Sequence, residues 1–206
     1  MFAERLTGVW LLGSGAYGGF GAESDLDVQA IVDGPPTGAE IDRLVALIAH
    51  PHLACPAAGL EFVLYERRVL EHPSPPLEWS LNLNGGPKRA RSVSTDPARH
   101  PWHWFVLDLA AGRELAVTLH GTDLADVVGP ISDEDQLAAI TESVRWHDEN
   151  EPASTNQTYA AARGLMYLET GTHPSKPAAR AWLASTGRTP QDAIEELRAA
   201  LRTRGA

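Results

Sequence analysis

Two apolar runs, Val9-Trp10-Leu11-Leu12 and Val28-Gln29-Ala30-Ile31-Val32, frame a glycine-rich segment. It begins Gly13-Ser14 and closes, ten residues later, on Asp25-Leu26-Asp27. The pattern reads as a strand, a tight Gly-Ser turn, a loop and a second strand. Side chains alternate faces along a strand, so Asp25 and Asp27 point the same way, roughly 7 Å apart. Two carboxylates on one face, beside backbone amides of a glycine-rich turn, are hard oxygen ligands suited to Mg²⁺ and a triphosphate. That chemistry is phosphoryl-group transfer. The competing reading is a surface turn in which Ser24 and Asp25 merely open a strand.

A third carboxylate, Glu61, lies inside Gly59-Leu60-Glu61-Phe62-Val63-Leu64-Tyr65, a run of strand length rich in β-favouring residues. An acid within such a run is costly to bury unless it is paired or bound to a cation. If this strand lies beside Leu26–Val32, Glu61 completes a three-carboxylate metal site. Alternatively it faces water from an edge strand.

Gly13-Ser14, ten residues, Asp25-x-Asp27 and a later-strand Glu61 resemble the nucleotidyltransferase superfamily with the DNA polymerase β-like palm. The C-terminal half is similar to the helical domain of aminoglycoside adenylyltransferases of the streptomycin/spectinomycin 3''-type. That likeness rests on Asn156-Gln157-Thr158, Arg163, Tyr167, Thr170-Gly171, Ser175-Lys176 and Ala178 to Trp182. Arg113-Glu114, Val117, Leu119 and Gly121 resemble the middle segment of the same group. The resemblance implies an α/β (α+β) fold: a small mixed palm sheet with flanking helices over residues 1–129, then an α-helical bundle over 130–206. In that family a helix usually precedes the first strand. Here the strand begins within about eight residues of Met1, which predicts a shortened chain or an upstream start, and a sheet face short of cover.

The remaining elements follow from periodicity. Ala39–Ala49 is apolar at Ile41, Leu44, Val45 and Ile48, a helical period. Trp79–Leu83 alternates like a strand and is broken by Gly85-Gly86-Pro87. Lys88–Pro101 reads as an irregular loop over the site, and Trp102–Leu115 as a helix. Ser132 followed by Asp133, Glu134 and Asp135 is a helix start, with a cap and first-turn acids. Ser154 or Thr155 opens a helix ending at Gly171, Pro177–Ser185 forms another, and Thr189-Pro190 starts the last.

Composition narrows the partners. Hydrophobic residues at 43% and charged residues at 21% are ordinary for a globular chain. No apolar run approaches the ~20 residues of a membrane span. The N-terminus has no basic-then-apolar leader, and one cysteine, Cys55, excludes an internal disulfide, so the expected location is cytoplasmic. The net charge of −10 disfavours nucleic acid as acceptor. Between Asp123 and Glu151 stand nine acids and one base, Arg145, a stretch able to steer a cationic small molecule, though most of these acids read as a solvated helix face.

Taken with the resemblance, the expected reaction is attack of an acceptor hydroxyl on the α-phosphate of ATP, with pyrophosphate leaving. Asp25, Asp27 and Glu61 hold one or two Mg²⁺ ions, and Glu61 is also the general base. Gly13, Ser14 and the neighbouring amides take phosphate oxygens. Ser24, Asp108, Arg163 and Lys176 match family positions that contact nucleotide, the last two thirteen residues apart. Lys176 also sits near a helix start, poorly placed for the helix dipole, which favours a ligand role. For the acceptor, Trp146 lies close to a tryptophan that family members use against the aminoglycoside, and Asp148 and Glu151 could pair with ammonium groups. Trp146 is equally readable as bundle core. Trp102-His103-Trp104 reads as aromatic packing, and the histidines show no metal-ligand spacing. The alternatives are the same chemistry on a protein or metabolite, or an antitoxin-type module that binds a toxin partner.

Overall fold

In the computed structural model residues 2–204 are described, and these carry six strands and nine α-helices. Strand β1 (Leu6–Leu12) runs into helix α1 (Gly13–Tyr17), a short turn of helix inside the segment expected to be all loop. Strand β2 (Asp25–Val32) returns antiparallel to β1, helix α2 (Gly38–Ile48) crosses over, and β3 (Gly59–Glu66) lies parallel to β2. Helix α3 (Arg67–Glu71), the hairpin β4 (Leu81–Gly86) and β5 (Arg89–Ser94), helix α4 (Trp102–Leu115), strand β6 (Val117–His120) and helix α5 (Leu124–Val127) follow. Four longer helices complete the chain: α6 (Asp133–Asn150), α7 (Thr155–Thr170), α8 (Lys176–Ser185) and α9 (Pro190–Arg204). The sheet is mixed, in spatial order β5-β4-β3-β2-β1-β6.

Strand alternation divides the apolar residues between two faces. Val28, Ala30 and Val32 of β2, with Phe62 and Leu64 of β3 and Leu81 and Leu83 of β4, meet Ile41, Leu44, Val45 and Ile48 of α2. Thr37 starts α2 with a full capping box, its hydroxyl accepting from the Glu40 amide while Glu40 returns to the Thr37 amide. Such a cap is worth about 1 kcal/mol. The opposite face buries Trp10, Leu12, Ile31, Val63 and Tyr65 against Phe105, Val106 and Leu109 of α4. Both faces are therefore covered, α2 on one and α4 on the other, which corrects the expectation of a sheet short of cover.

A further core joins α6 to α9, with Ile140, Ala162, Leu165, Leu183, Leu197 and Leu201 at its centre. Ser132, Ser154 and Ser175 cap α6, α7 and α8, each hydroxyl accepting an amide three residues on. Gly171 ends α7 at a φ of 74°, the left-handed region glycine enters without strain. Leu107 of α4 packs against both this core and the one above the sheet.

Two expectations fail at the hairpin. β4 does not stop before Gly85: Gly85 pairs with Leu60 and Gly86 with Arg89. A Cβ on Gly86 would lie 2.5 Å from the Gly59 Cα, so glycine here permits close strand approach rather than breaking the strand. Nor is Lys88–Pro101 irregular throughout, because Arg89–Ser94 is the edge strand β5. Nearly every β5 residue is exposed, so no in-and-out alternation marks it.

Candidate active site

The sheet face under α4 changes character along its length. At one end Ile31, Val63 and Tyr65 point into the core; at the other the same alternation presents Asp25, Asp27 and Glu61. The parallel register sets Asp27 directly beside Glu61 and Asp25 beside Gly59, with neighbouring strands ~4.8 Å apart. These acids form one wall of a cleft of about 1140 Å³, closed on the other sides by α4, α6, α7 and α8. Gly13, Ser14, Ser24, Asp108, Trp146, Glu151, Arg163 and Lys176 also line it.

Gly13 is required by this geometry. Its φ is 57°, and a Cβ there would sit 1.7 Å from Asp27 Oδ2. Only a glycine brings the backbone of the turn against that carboxylate. Ser24 closes the far end of the glycine-rich loop, its hydroxyl accepting from the Gly21 amide at 3.0 Å.

Charge in the cleft is unevenly balanced. Asp27 is pushed up to about 7 by burial, then by the negative charges of Asp108 and Asp25, against the pull of Lys176. Glu61 is likewise raised to about 7 by desolvation and by Asp27 and Asp25. Asp27 and Glu61 lie within hydrogen-bonding reach of each other, so the pair titrates as a unit and holds a proton near neutrality. Asp108 of α4 is pushed up to about 6 by desolvation, with Arg163 opposing. Glu61 and Asp108 open onto the cleft, so its walls rather than a dry core supply that desolvation. Across from the acids, Arg163 of α7 is oriented by donating from Nε to the Pro174 carbonyl at 3.0 Å. Lys176, at the start of α8, lies over the Tyr159 ring with Nζ 5.8 Å from its centroid.

The donors suit a hard divalent cation. Asp25 Oδ1 is buried with no hydrogen-bond partner, and burial followed by the charge of neighbouring acids raises Asp27 and Glu61. Among the described residues the site thus holds an unfilled oxygen acceptor beside two acids with no basic side chain bonded to them. Among the described residues, no three His, Cys, Asp or Glu side chains close on a common metal point. Asp25 is instead engaged sideways, its Oδ2 accepting from Arg89 Nε at 2.9 Å.

The expected acceptor residues separate. Trp146 lines the cleft, its ring edge-on to Trp104 at 5.1 Å, and Glu151 lines it nearby. Asp148 is not among the lining residues. It accepts from Gln157 Nε2 at 2.7 Å and pairs with Arg198, tying α6 to α7 and α9. The aromatic triplet is also split: His103 is fully buried and Trp102 packs against the core, whereas Trp104 is 38% exposed at the cleft mouth.

Several lining residues escape sequence reading. Asn82 and Asn84 of β4 share the face of Glu61, their side chains bonded to each other at 2.9 Å. Tyr17 packs its ring on the core while its buried hydroxyl lacks a partner, and burial together with Asp108 drives its pKa well up. His173 donates from Nε2 to Gln136 Oε1 at 2.6 Å and stacks on Tyr167; burial and Arg163 hold it down at about 4, hence neutral. The alternation of Asn82 and Asn84 was the one available signal. Arg89 and Tyr17 had none, standing in segments read as loop.

The fold, a mixed sheet followed by packed helices, is one seen in adenylyltransferases. The chain is similar in structure to the spectinomycin adenyltransferase AAD(9) from Enterococcus faecialis, solved with ATP and spectinomycin, at a TM-score of 0.67 and 18% identity. The match covers 97% of this chain and 82% of that one, and the likeness is one of fold. No family model and no curated protein sequence matches the chain. Among the described residues no helix is long and apolar enough to cross a membrane.

Proposed function

We propose that the protein is a nucleotidyltransferase that moves AMP from ATP to a hydroxyl of a small, cationic acceptor of the aminoglycoside class. The observation that carries this is the cleft itself. Three carboxylates on two adjacent strands face a glycine turn on one side and Arg163 and Lys176 on the other. Likeness of fold to a protein solved with ATP and spectinomycin supports the same reading.

The division of labour follows from position. Ser14 and the amides about Gly13 take phosphate oxygens, while Arg163 and Lys176 offset the charge of the triphosphate and of departing pyrophosphate. Asp25, Asp27 and Glu61 would hold Mg²⁺, which when bound neutralises phosphate charge and aligns the transferred group. Glu61 accepts the proton of the acceptor hydroxyl as that oxygen bonds to the α-phosphorus and the bond to pyrophosphate breaks. A carboxylate with raised proton affinity is matched to that task. The Trp146 face supports the acceptor ring and Glu151 pairs with a cationic substituent. Asp108, on the cleft wall, acts through its charge on both Asp27 and Arg163.

The test is pyrophosphate release from Mg²⁺-ATP against a panel that includes streptomycin and spectinomycin. Turnover with one or more members is expected. Silence across the panel removes the acceptor assignment, and absence of ATP binding by calorimetry removes the nucleotidyltransferase reading. Capture of a small helical partner with the chain would point instead to the toxin-binding alternative.

A further inference from the structure

We infer that Arg89 is a positioning residue that holds Asp25 in a cation-ready orientation, an inference resting on the proposed divalent-metal role of Asp25. Arg89 opens β5, directly across the two-residue turn from Gly86. Its stem lies over Gly59, where a Cβ would come within 2.6 Å of Arg89 Cγ and 2.9 Å of Asp25 Oδ1. Gly59 is thus the floor that admits both the arginine stem and the aspartate head. The guanidinium then makes two bonds of different kinds. Nε donates to Asp25 Oδ2 at 2.9 Å, and Nη2 donates to the Glu23 carbonyl at 3.0 Å.

The consequence is a carboxylate with one oxygen spoken for and the other bare. Oδ1 is sealed from solvent and has no partner. A bare buried carboxylate oxygen is unfavourable, and a hard cation is the group that satisfies it. The planar guanidinium, anchored at Nη2 by the Glu23 carbonyl, aims its Nε–H at Asp25 Oδ2 in one fixed direction, which a freely rotating lysine ammonium cannot do. Arg89 is itself 43% exposed in its side chain, so the ion pair contributes little to stability. Its effect lies in orientation, the part that groups behind metal ligands commonly play. The neighbouring Lys88 clasps the same loop by a different route, donating to the Ala22 carbonyl at 3.1 Å and pairing with Glu23. It does not touch Asp25, and so separates loop clasping from carboxylate positioning.

The opposite arrangement is that Arg89 stands in place of the metal and competes with it. The two differ in sign. Mn²⁺ binding to the full chain without nucleotide, followed by the electron paramagnetic resonance signal of the free ion, distinguishes them. Arg89→Gln is expected to weaken Mn²⁺ binding by about 10–100-fold, and Lys88→Ala to leave it within about 2-fold. Arg89→Lys, which keeps charge and stem, is expected to lose ~3–10-fold, so a folding defect in Arg89→Gln leaves the test intact. Unchanged or tighter binding in the Arg89 variants overturns the inference, as does an equal loss in Lys88→Ala. No Mn²⁺ binding by the unaltered protein overturns both this and the metal reading of the site. Normal Mn²⁺ behaviour with no nucleotidyl transfer defeats the proposed reaction alone.

Discussion

Asp27 on β2 stands side by side with Glu61 on β3, in parallel register and within hydrogen-bonding reach, with Asp108 and Asp25 adding to the negative field. Folding therefore assembles like charges that repel one another, an arrangement that the proposed cation would relieve. Asp27→Asn is expected to keep the fold and to raise the melting temperature of the metal-free protein, because one repelling charge is gone. Turnover should fall by at least ~10³-fold if charge on this carboxylate orders the phosphates. Melting curves with and without Mg²⁺-ATP check both parts. A variant that melts lower without metal, or that turns over normally, defeats the assignment.

The same pair sets the pH response. Asp27 and Glu61 are raised to about 7 in the folded chain, above the ~4 of an unfolded carboxylate. Between those values the folded state binds more protons than the unfolded one, so metal-free stability is fullest below about pH 4 as far as this pair is concerned. It falls as pH rises toward 7 and then levels. Cation binding runs the other way, since it displaces the shared proton, and should strengthen as pH rises to about 7–8. Urea melts across pH 5–8 with and without Mg²⁺ read the two slopes, which are expected to differ in sign.

Gly13→Ala places a Cβ 1.7 Å from Asp27 Oδ2 on a residue whose φ is 57°. Strain and displacement together should cost about 2–4 kcal/mol, lowering the melting temperature by ~5–10 °C, and should abolish transfer. Gly171→Ala is the comparison. Its φ is 74°, but open space surrounds the new methyl group. About 1 kcal/mol of backbone strain is expected there, with transfer unaffected. Equal loss of activity in both would show that Gly13 matters only for stability.

What is legible in such a chain depends on whether an element has a buried face. β2 and β3 announce themselves because Val28–Val32 and Phe62–Tyr65 are near-continuous apolar runs of strand length, and a carboxylate at the head of such a run demands an explanation. The helices after Ser132 are legible through their serine caps and the Gly171 stop. β5 is not, because its exposed residues leave no pattern, and Arg89 went unread with it. Gly85 and Gly86 misled for a related reason. Glycine usually interrupts a strand, but here it admits the Gly59 backbone, a tertiary fact with no local mark. Asp148 follows Trp146 closely enough in sequence to suggest the acceptor, yet at 100° per residue two residues carry it about 200° round the helix, and it faces Arg198 and Gln157 instead.

His103 is fully buried and neither ring nitrogen has a hydrogen-bond partner. Burial pulls it down to about 4, with His147 and Arg145 pressing the same way and Glu142 opposing. The folded chain thus keeps it neutral while an unfolded imidazole protonates near 6.5. Between about pH 6.5 and 4 the unfolded state gains the proton first, so this residue removes stability as pH falls through that window. His103→Leu should be more stable by about 1–2 kcal/mol at pH 7, and by a growing margin toward pH 5. Denaturant midpoints at the two pH values check this. A variant less stable at both would mean the imidazole is satisfied by a bound water.

Trp146 and Asp148 lie two residues apart on α6 and should behave oppositely. Trp146 lines the cleft beside Trp104, so Trp146→Ala removes an aromatic face from the proposed acceptor while leaving the nucleotide side intact. The acceptor KM is expected to rise about 10–100-fold, a loss of ~1–3 kcal/mol, with the KM for ATP unchanged. Asp148 holds Arg198 and Gln157 away from the cleft. Asp148→Asn should lower stability by about 1 kcal/mol through the weakened pair and leave both KM values within 2-fold, about the limit of such comparisons. Steady-state kinetics on both variants, beside their melting curves, separate the two roles. If Asp148→Asn raised the acceptor KM as Trp146→Ala does, the carboxylate would have to leave Arg198 to meet the ligand, and the division of α6 into a cleft face and a bundle face would be wrong.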